Sequence, residues 1–218
     1  MRRLLPLLLL LLAACGEPSV GPKITEVSEP DGVGTLTSTP TSRSLPPLGD
    51  APDDLRQVDW SRVTLPAEFC GVEELVRFSG GEAKATSKKW GEVALWLNTE
   101  NYVRYGDIDA DGRDEAALDV GCDNGGGTSS SELAFGFVVV RSAVGKLELV
   151  GEIAATIERD GLVHVPVLAD PRFEKGVITV KEAWYRPSDA NCCPSGASLT
   201  KWWLRDGRLE ADQAVQVS

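Results

Sequence analysis

From Asp59 to the C-terminus no stretch keeps an apolar period of 3.6 residues; short β-type runs alternate instead with turn pairs. Gly80-Gly81, Asp160-Gly161 and Asp206-Gly207 each stand between apolar or alternating segments, as two-residue hairpin turns do. Val144-Gly145-Lys146 and Glu174-Lys175-Gly176 read the same way. The runs between them place strands near 72–79, 82–86, 92–97, 102–107, 115–121, 133–141, 146–154, 162–168, 177–185, 198–205 and 208–217. Phe135 to Val140 is the most continuous apolar run and the expected centre of the core. Val72 to Phe78 also fits a short helix. Sequential hairpins with few crossovers predict an all-β fold: a single antiparallel β-meander domain closed as a sandwich or barrel, with α+β as the alternative. There is no internal repeat, which argues against a propeller.

Upstream the composition changes. Residues 16–54 hold seven of the thirteen prolines and the run Thr35-Leu36-Thr37-Ser38-Thr39-Pro40-Thr41-Ser42. Such a segment buries too little apolar surface to offset ordering entropy, so 15–54 reads as a disordered tether and 55–218 as the β-rich domain. As a flexible coil, about 39 residues reach roughly 35 Å. Met1-Arg2-Arg3 opens the chain, followed by leucines from Leu4 to Leu12 broken only by Pro6. That apolar run is far short of the roughly 20 residues a membrane-spanning helix needs, and with its basic start it describes a secretory signal peptide.

Leu12-Ala13-Ala14-Cys15 resembles the lipobox of bacterial lipoproteins. The resemblance implies that residues 1–14 are removed and that Cys15 carries the lipid, palmitate or a similar acyl chain, as the mature N-terminus. An ordinary signal peptide that happens to carry a cysteine is the alternative. Gly16 is not the aspartate that retains lipoproteins at a Gram-negative inner membrane, so the expected address is the extracytoplasmic face of a membrane, at the outer membrane or cell surface according to host. Loss of Arg2 and Arg3 takes the formal charge from −11 to −13. A surface that acidic repels nucleic acid and anionic headgroups, so membrane attachment rests on the acyl chains. The expected partners are an envelope protein or a glycan, and the expected state is monomeric.

Four cysteines follow Cys15: Cys70, Cys122, Cys192 and Cys193. In an oxidising compartment they read as two disulfides. One of the three connectivities joins adjacent residues, whose Cα atoms stand about 3.8 Å apart, below the usual disulfide range. The expectation is therefore that Cys192 and Cys193 each take one of Cys70 and Cys122. Free nucleophilic thiols are the alternative.

Asp107-Ile108-Asp109-Ala110-Asp111-Gly112-Arg113-Asp114-Glu115 is the strongest chemical motif. Carboxylates at Asp107, Asp109 and Asp111 converge on one cation as a chain turns, with Gly112 permitting the bend, the Arg113 carbonyl as a backbone donor and Glu115 closing the set. Hard oxygen ligands suit Ca²⁺. The string resembles the calcium loops of EF-hand, dockerin and FG-GAP proteins over nine positions. It departs from the EF-hand at Leu118, where that loop carries a bidentate glutamate, and its flanks read as strands, which favours the FG-GAP type. A metal-free turn with solvated acids is the alternative.

The stretch from Val177 to Val215 carries Ala183-Trp184-Tyr185, Asp189-Ala190-Asn191-Cys192-Cys193-Pro194-Ser195-Gly196 and Trp202-Trp203-Leu204-Arg205-Asp206-Gly207. These strings resemble the C-terminal part of the LppP/LprE lipoproteins of actinobacteria. That family implies an anchored envelope protein and transfers no catalytic residues. Trp184, Tyr185, Trp202 and Trp203 are candidate ligand-binding aromatics, since neighbours on a strand point to opposite faces and one ring of each pair then meets a wet face. Burial of both faces is the alternative.

Catalysis finds little support. His164 is the single histidine, there is no Gly-x-Ser-x-Gly elbow, and the run Asp123 to Ser131 lacks the lysine of a phosphate loop. Ser198-Leu199-Thr200-Lys201 matches Ser-x-x-Lys, yet on a strand residues three apart face opposite ways. The sequence thus reads as a non-catalytic, lipid-anchored envelope protein acting in ligand or partner binding or envelope maintenance. A hydrolase working through Asp107 or Glu115, and a purely structural lipoprotein, are the alternatives.

Overall fold

The computed structural model describes residues 47–98, 102–125, 131–157, 164–190 and 192–217. The expected signal peptide, Cys15, the tether as far as residue 46 and the Asp160-Gly161 turn lie outside the described residues. In chain order the strands begin with β1 (Gly49–Asp50), β2 (Thr64–Ala67), β3 (Val72–Arg77), β4 (Glu82–Ser87), β5 (Gly91–Asn98), β6 (Arg104–Gly106) and β7 (Glu115–Asp123). They continue with β8 (Glu132–Ala143), β9 (Lys146–Ala154), β10 (Val167–Glu174), β11 (Val177–Trp184), β12 (Gly196–Arg205), β13 (Arg208–Ala211) and β14 (Val215–Gln216). Three single-turn 3-10 helices, Leu55–Gln57, Trp60–Arg62 and Glu68–Cys70, lie near the start.

Every pairing is antiparallel, and the fold is all-β. The larger sheet runs β1-β9-β8-β7-β5-β4 and curls into a half-barrel. Its strand β7 shares one edge between two partners, pairing Asp119 with Asn98 of β5 and Glu115 with Gly106 of β6. A second sheet runs β10-β11-β12-β13, with β14 also on β12, and β2 with β3 makes a separate ribbon.

Two cores use opposite faces of the larger sheet. Leu118, Val120 and Cys122 of β7 face one core with Val138 and Val140 of β8, covered by Leu55, Trp60, Leu65, Val76 and Phe78. Ala117, Phe137 and Val139 face the other, covered by Leu168, Ile178 and Val180 of the second sheet. A strand buried on both faces reads as an unbroken apolar run, which explains Phe137 to Val140.

The turn pairs do what their residues allow. Val144-Gly145 and Asp206-Gly207 have positive φ at both central positions (51° and 73°, 49° and 76°), the twist that matches a two-residue hairpin. Gly80-Gly81 is such a turn too, with φ of 67° and 81° between Ser79 and Glu82, which exchange backbone hydrogen bonds (2.9 and 3.4 Å); beyond that one bridge β3 pairs back with β2 and β4 forward with β5.

Two expectations shift and one alternative closes. Residues 47–54, expected within the tether, are part of the fold, since Leu48 is buried and β1 pairs with β9. Val72–Arg77 is a strand and not a helix; its buried residues Val72 and Val76 satisfy both periods, and pairing of Val76 with Leu65 decides for the strand. Of the strand expected at 162–168, residues 162 and 163 lie outside the described residues and Val167 opens β10, which continues to Glu174 because a register shift between Ala169 and Arg172 absorbs Asp170-Pro171.

Candidate functional site

The acids sit in the connection between β6 and β7, pinned from outside by the second sheet. The Gly176 N–H donates to the Ile108 carbonyl (2.9 Å), and the Ile108 side chain is buried in the second core. Gly106, at the root of the loop, lies under Phe173, where a Cβ would come within 2.3 Å of the Phe173 side chain. Inside the loop, Asp107 accepts from the N–H groups of Ala110 (2.6 Å) and Gly112 (3.1 Å), and Asp109 from that of Asp111 (3.1 Å). The bend needs left-handed backbone at Ala110 (φ 63°) and Gly112 (φ 86°).

Glu115 closes this ring from the first position of β7. It is 2% exposed, and its Oε2 accepts from the Ile108 N–H (2.8 Å). Asp107, Asp109 and Glu115 each present an oxygen within 4.8 Å of the others. Burial pushes the Glu115 carboxyl up to about 7; the Ile108 N–H opposes this, and the charges of Asp109, Asp111 and Asp107 add to it. Arg141 of β8, bonded through Nη2 to Glu148 (3.0 Å), stands 3.6 Å from Asp109.

Asp111 does not join the cluster. Its Oδ2 receives Nε (3.1 Å) and Nη2 (2.6 Å) of Arg113, which hold the Asp111 carboxyl below its ordinary range. Of the five residues singled out, three converge and two pair with each other. Each carboxylate oxygen that accepts one N–H keeps a second lone pair, so Asp107, Asp109 and Glu115 can hold a hard cation without giving up the bonds that shape the loop.

No family model, curated protein or solved structure matches the chain.

All four cysteines are paired, but not as expected: Cys70 bonds Cys122, and Cys192 bonds Cys193. Cys70 ends a 3-10 helix against the first core while Cys122 points into that core from β7, so both are fully buried and 6.2 Å apart at Cα. The loop with Cys192 and Cys193 belongs to the second sheet, on the opposite side of β7, which leaves the adjacent pair to bond each other with Cα atoms 3.7 Å apart.

The paired aromatics do point to opposite faces, yet they make no joint platform. Trp184 is 4% exposed and lies over Gly196, while Trp202 packs against the second core. Tyr185 packs at a tilt against His164 (4.6 Å between centroids), and Trp203 donates to Asp212 (2.6 Å). In the ladder Trp203 faces Val177 whereas Trp184 faces Gly196, so the two half-buried rings Tyr185 and Trp203 stand at opposite ends of the sheet, roughly 26 Å apart along the strands. His164 precedes β10 and is not on a strand. Ser198 is buried and Lys201 exposed on β12, so Ser-x-x-Lys cannot assemble.

One arrangement escapes the sequence reading. Trp96 of β5 lies over Gly121 of β7, where a Cβ would sit 2.1 Å from the ring, and meets Phe135 edge-on at 5.7 Å. Beside it opens a cleft of about 510 Å³ lined by Glu82, Lys84, Trp96 and Asp123 among others. Burial raises the nearby Glu132 carboxyl and pushes Asp119 up to about 6. The available signal was Gly121, a glycine inside an apolar strand, which marks a close approach.

Proposed function

We propose that the chain is a lipid-anchored, extracytoplasmic envelope protein, non-catalytic, whose β domain is steadied by Ca²⁺ at Asp107, Asp109 and Glu115. One observation carries the metal: a buried carboxylate, Glu115, has two aspartate oxygens within 4.8 Å, and the arginines nearby are engaged elsewhere, Arg141 with Glu148 and Arg113 with Asp111. A divalent cation relieves that repulsion and bonds oxygens the loop already presents. When bound, it ties the β6–β7 connection to the second sheet through Ile108 and Gly176. The anchor rests on Leu12-Ala13-Ala14-Cys15, and the actinobacterial LppP/LprE likeness on the Cys-Cys-Pro block, as sequence features. Partner binding, to a glycan or another envelope protein, is best supported at the Trp96 cleft, where an aromatic edge lies among carboxylates.

The test is a calorimetric Ca²⁺ titration of the unlipidated, oxidised chain, with thermal unfolding alongside. A site of this class binds on the order of 10⁻⁴ to 10⁻³ M. At tenfold excess over Kd it stabilises by about 1.4 kcal/mol. Binding with a raised Tm, both lost in Asp109→Asn, supports the proposal; no heat and no shift at 10 mM Ca²⁺ overturns it.

A further inference from the structure

The Cys192–Cys193 bond does not do what structural disulfides do. In the chain-entropy account a cross-link stabilises by the logarithm of the loop it closes, and a link between neighbours closes essentially none. Cys70–Cys122 is the contrast: 52 residues apart and fully buried, it closes a long loop and constrains the unfolded chain.

Nor does the loop between β11 and β12 need the sulfurs to hold its shape. Asp189 accepts from the Arg186 N–H (2.7 Å), the Ser195 N–H (2.8 Å) and the Ser195 hydroxyl (2.7 Å). Arg186 Nη1 donates to the Ser195 oxygen (3.1 Å) and the guanidinium lies over Trp184 (5.3 Å to the ring centroid). The Cys193 N–H donates to the Ala190 carbonyl (3.0 Å). These bonds close the feet of the loop, and the large buried ring of Trp184 gives them a fixed base. The two cysteines project from this frame as exposed residues.

An exposed disulfide, bonded between neighbours and carried on a frame independent of it, is one that a thiolate can reach and open without unfolding the domain. We propose that Cys192 and Cys193 form a two-electron thiol–disulfide exchange site that takes its electrons from a dithiol. A thiolate of the dithiol attacks one sulfur of the pair, forming a mixed disulfide and releasing the other cysteine as a thiolate. The second thiolate of the dithiol then attacks its own partner sulfur in the mixed disulfide, which closes the donor's disulfide and releases the remaining cysteine. The two protons lost by the dithiol end on Cys192 and Cys193. The donor is oxidised by two electrons, the pair is reduced by two, and the reverse sequence reoxidises it. This site is independent of calcium at the acidic loop and stands or falls separately from it.

The experiment exposes the oxidised, unlipidated chain to dithiothreitol under native conditions, then alkylates it and maps the labelled cysteines by mass spectrometry. Cys192 and Cys193 should be labelled together while Cys70–Cys122 stays closed and the far-UV spectrum is unchanged. Opening of the buried bond waits on unfolding and should be slower by on the order of 10³-fold or more. The reduced pair should then reduce one equivalent of an aromatic disulfide reporter, releasing two aromatic thiolates as the Cys192–Cys193 bond re-forms, an activity absent from Cys192→Ser/Cys193→Ser. Labelling without reductant, resistance of the pair until the protein unfolds, or a fall of several degrees in Tm in the double variant would each overturn the proposal.

Discussion

A carboxylate 2% exposed, with two aspartate oxygens within 4.8 Å, gives up its proton late: Glu115 titrates at about 7 in the fold, against 4.5 for an ordinary glutamate. The folded chain therefore holds more protons than the unfolded one between those two values, and stability falls as pH rises through that window and levels off above it. Glu152, pushed up to about 7 by burial although it accepts the N–H groups of Glu68 and Phe69, acts in the same direction. Glu115→Gln keeps an acceptor for the Ile108 N–H and removes the charge. In thermal unfolding without metal it should match wild type at pH 5 and exceed it at pH 8, by an amount that isolates Glu115 from Glu152. In wild type the Ca²⁺ response should strengthen as pH rises through 7, and in the variant it should vanish. Equal pH profiles for the two proteins would show that Glu115 ionises freely. The cluster was half legible in the chain. Alternating acids before a glycine mark the loop and Glu115 as its last member. The turning of Asp111 onto Arg113 depends on how one side chain folds back over two residues, and Arg141 arrives from β8, which no local spacing reveals.

At the scale of elements, glycines inside strands decide where rings lie. Gly196 and Gly121 each accept an indole face, at 2.3 Å and 2.1 Å from where a Cβ would be. The surroundings differ, because Trp184 is 4% exposed in a packed interior while Trp96 borders an open cleft. Gly196→Ala should therefore cost about 2–3 kcal/mol in denaturant unfolding, since Trp184 has nowhere to go. Gly121→Ala should cost less, with Trp96 swinging into the cleft and its fluorescence shifting. The reverse ranking would mean that the Trp96 ring is the more firmly held. Much of this layer was readable, because hairpin turns advertise themselves: Val144-Gly145 and Asp206-Gly207 bound their strands closely. Strands β1 and β2 went unseen for the opposite reason. Gly49–Asp50 is too short to alternate and sits between prolines, and β2 carries Pro66 within its four residues. The cysteine connectivity was missed because reading distance along the chain cannot show that Cys192 and Cys193 belong to a different layer from Cys70 and Cys122.

Across the whole domain, the larger sheet is shared by two cores and two kinds of tie hold the layers to it. The first is covalent: Cys70–Cys122 fastens the 3-10 helix before β3 to the C-terminal end of β7. The second is a buried carboxylate. Glu182 of β11 is fully buried and accepts from the Thr156 N–H (3.1 Å) and hydroxyl (2.6 Å), the Ile157 N–H (3.2 Å) and the Thr200 hydroxyl (2.8 Å). Thr156 and Ile157 are the residues by which the chain leaves β9, so this one side chain joins the larger sheet to the second. Removing each tie should leave a different signature. Cys70→Ser/Cys122→Ser loosens the unfolded chain and should lower global stability by about 4 kcal/mol, leaving the pattern of amide protection intact. Glu182→Ala strands buried donors at one junction, at a cost on the order of 3 kcal/mol. Its effect should appear first in the second sheet: amides of β10, β11 and β12 should exchange faster while those of β7 and β8 stay protected. Native-state hydrogen exchange on the two variants separates these cases. Uniform acceleration in Glu182→Ala would mean that both sheets open as one cooperative unit and that Glu182 contributes only to the total. Selective acceleration would place the weakest boundary of the domain between β9 and β11, next to the loop that carries Cys192 and Cys193.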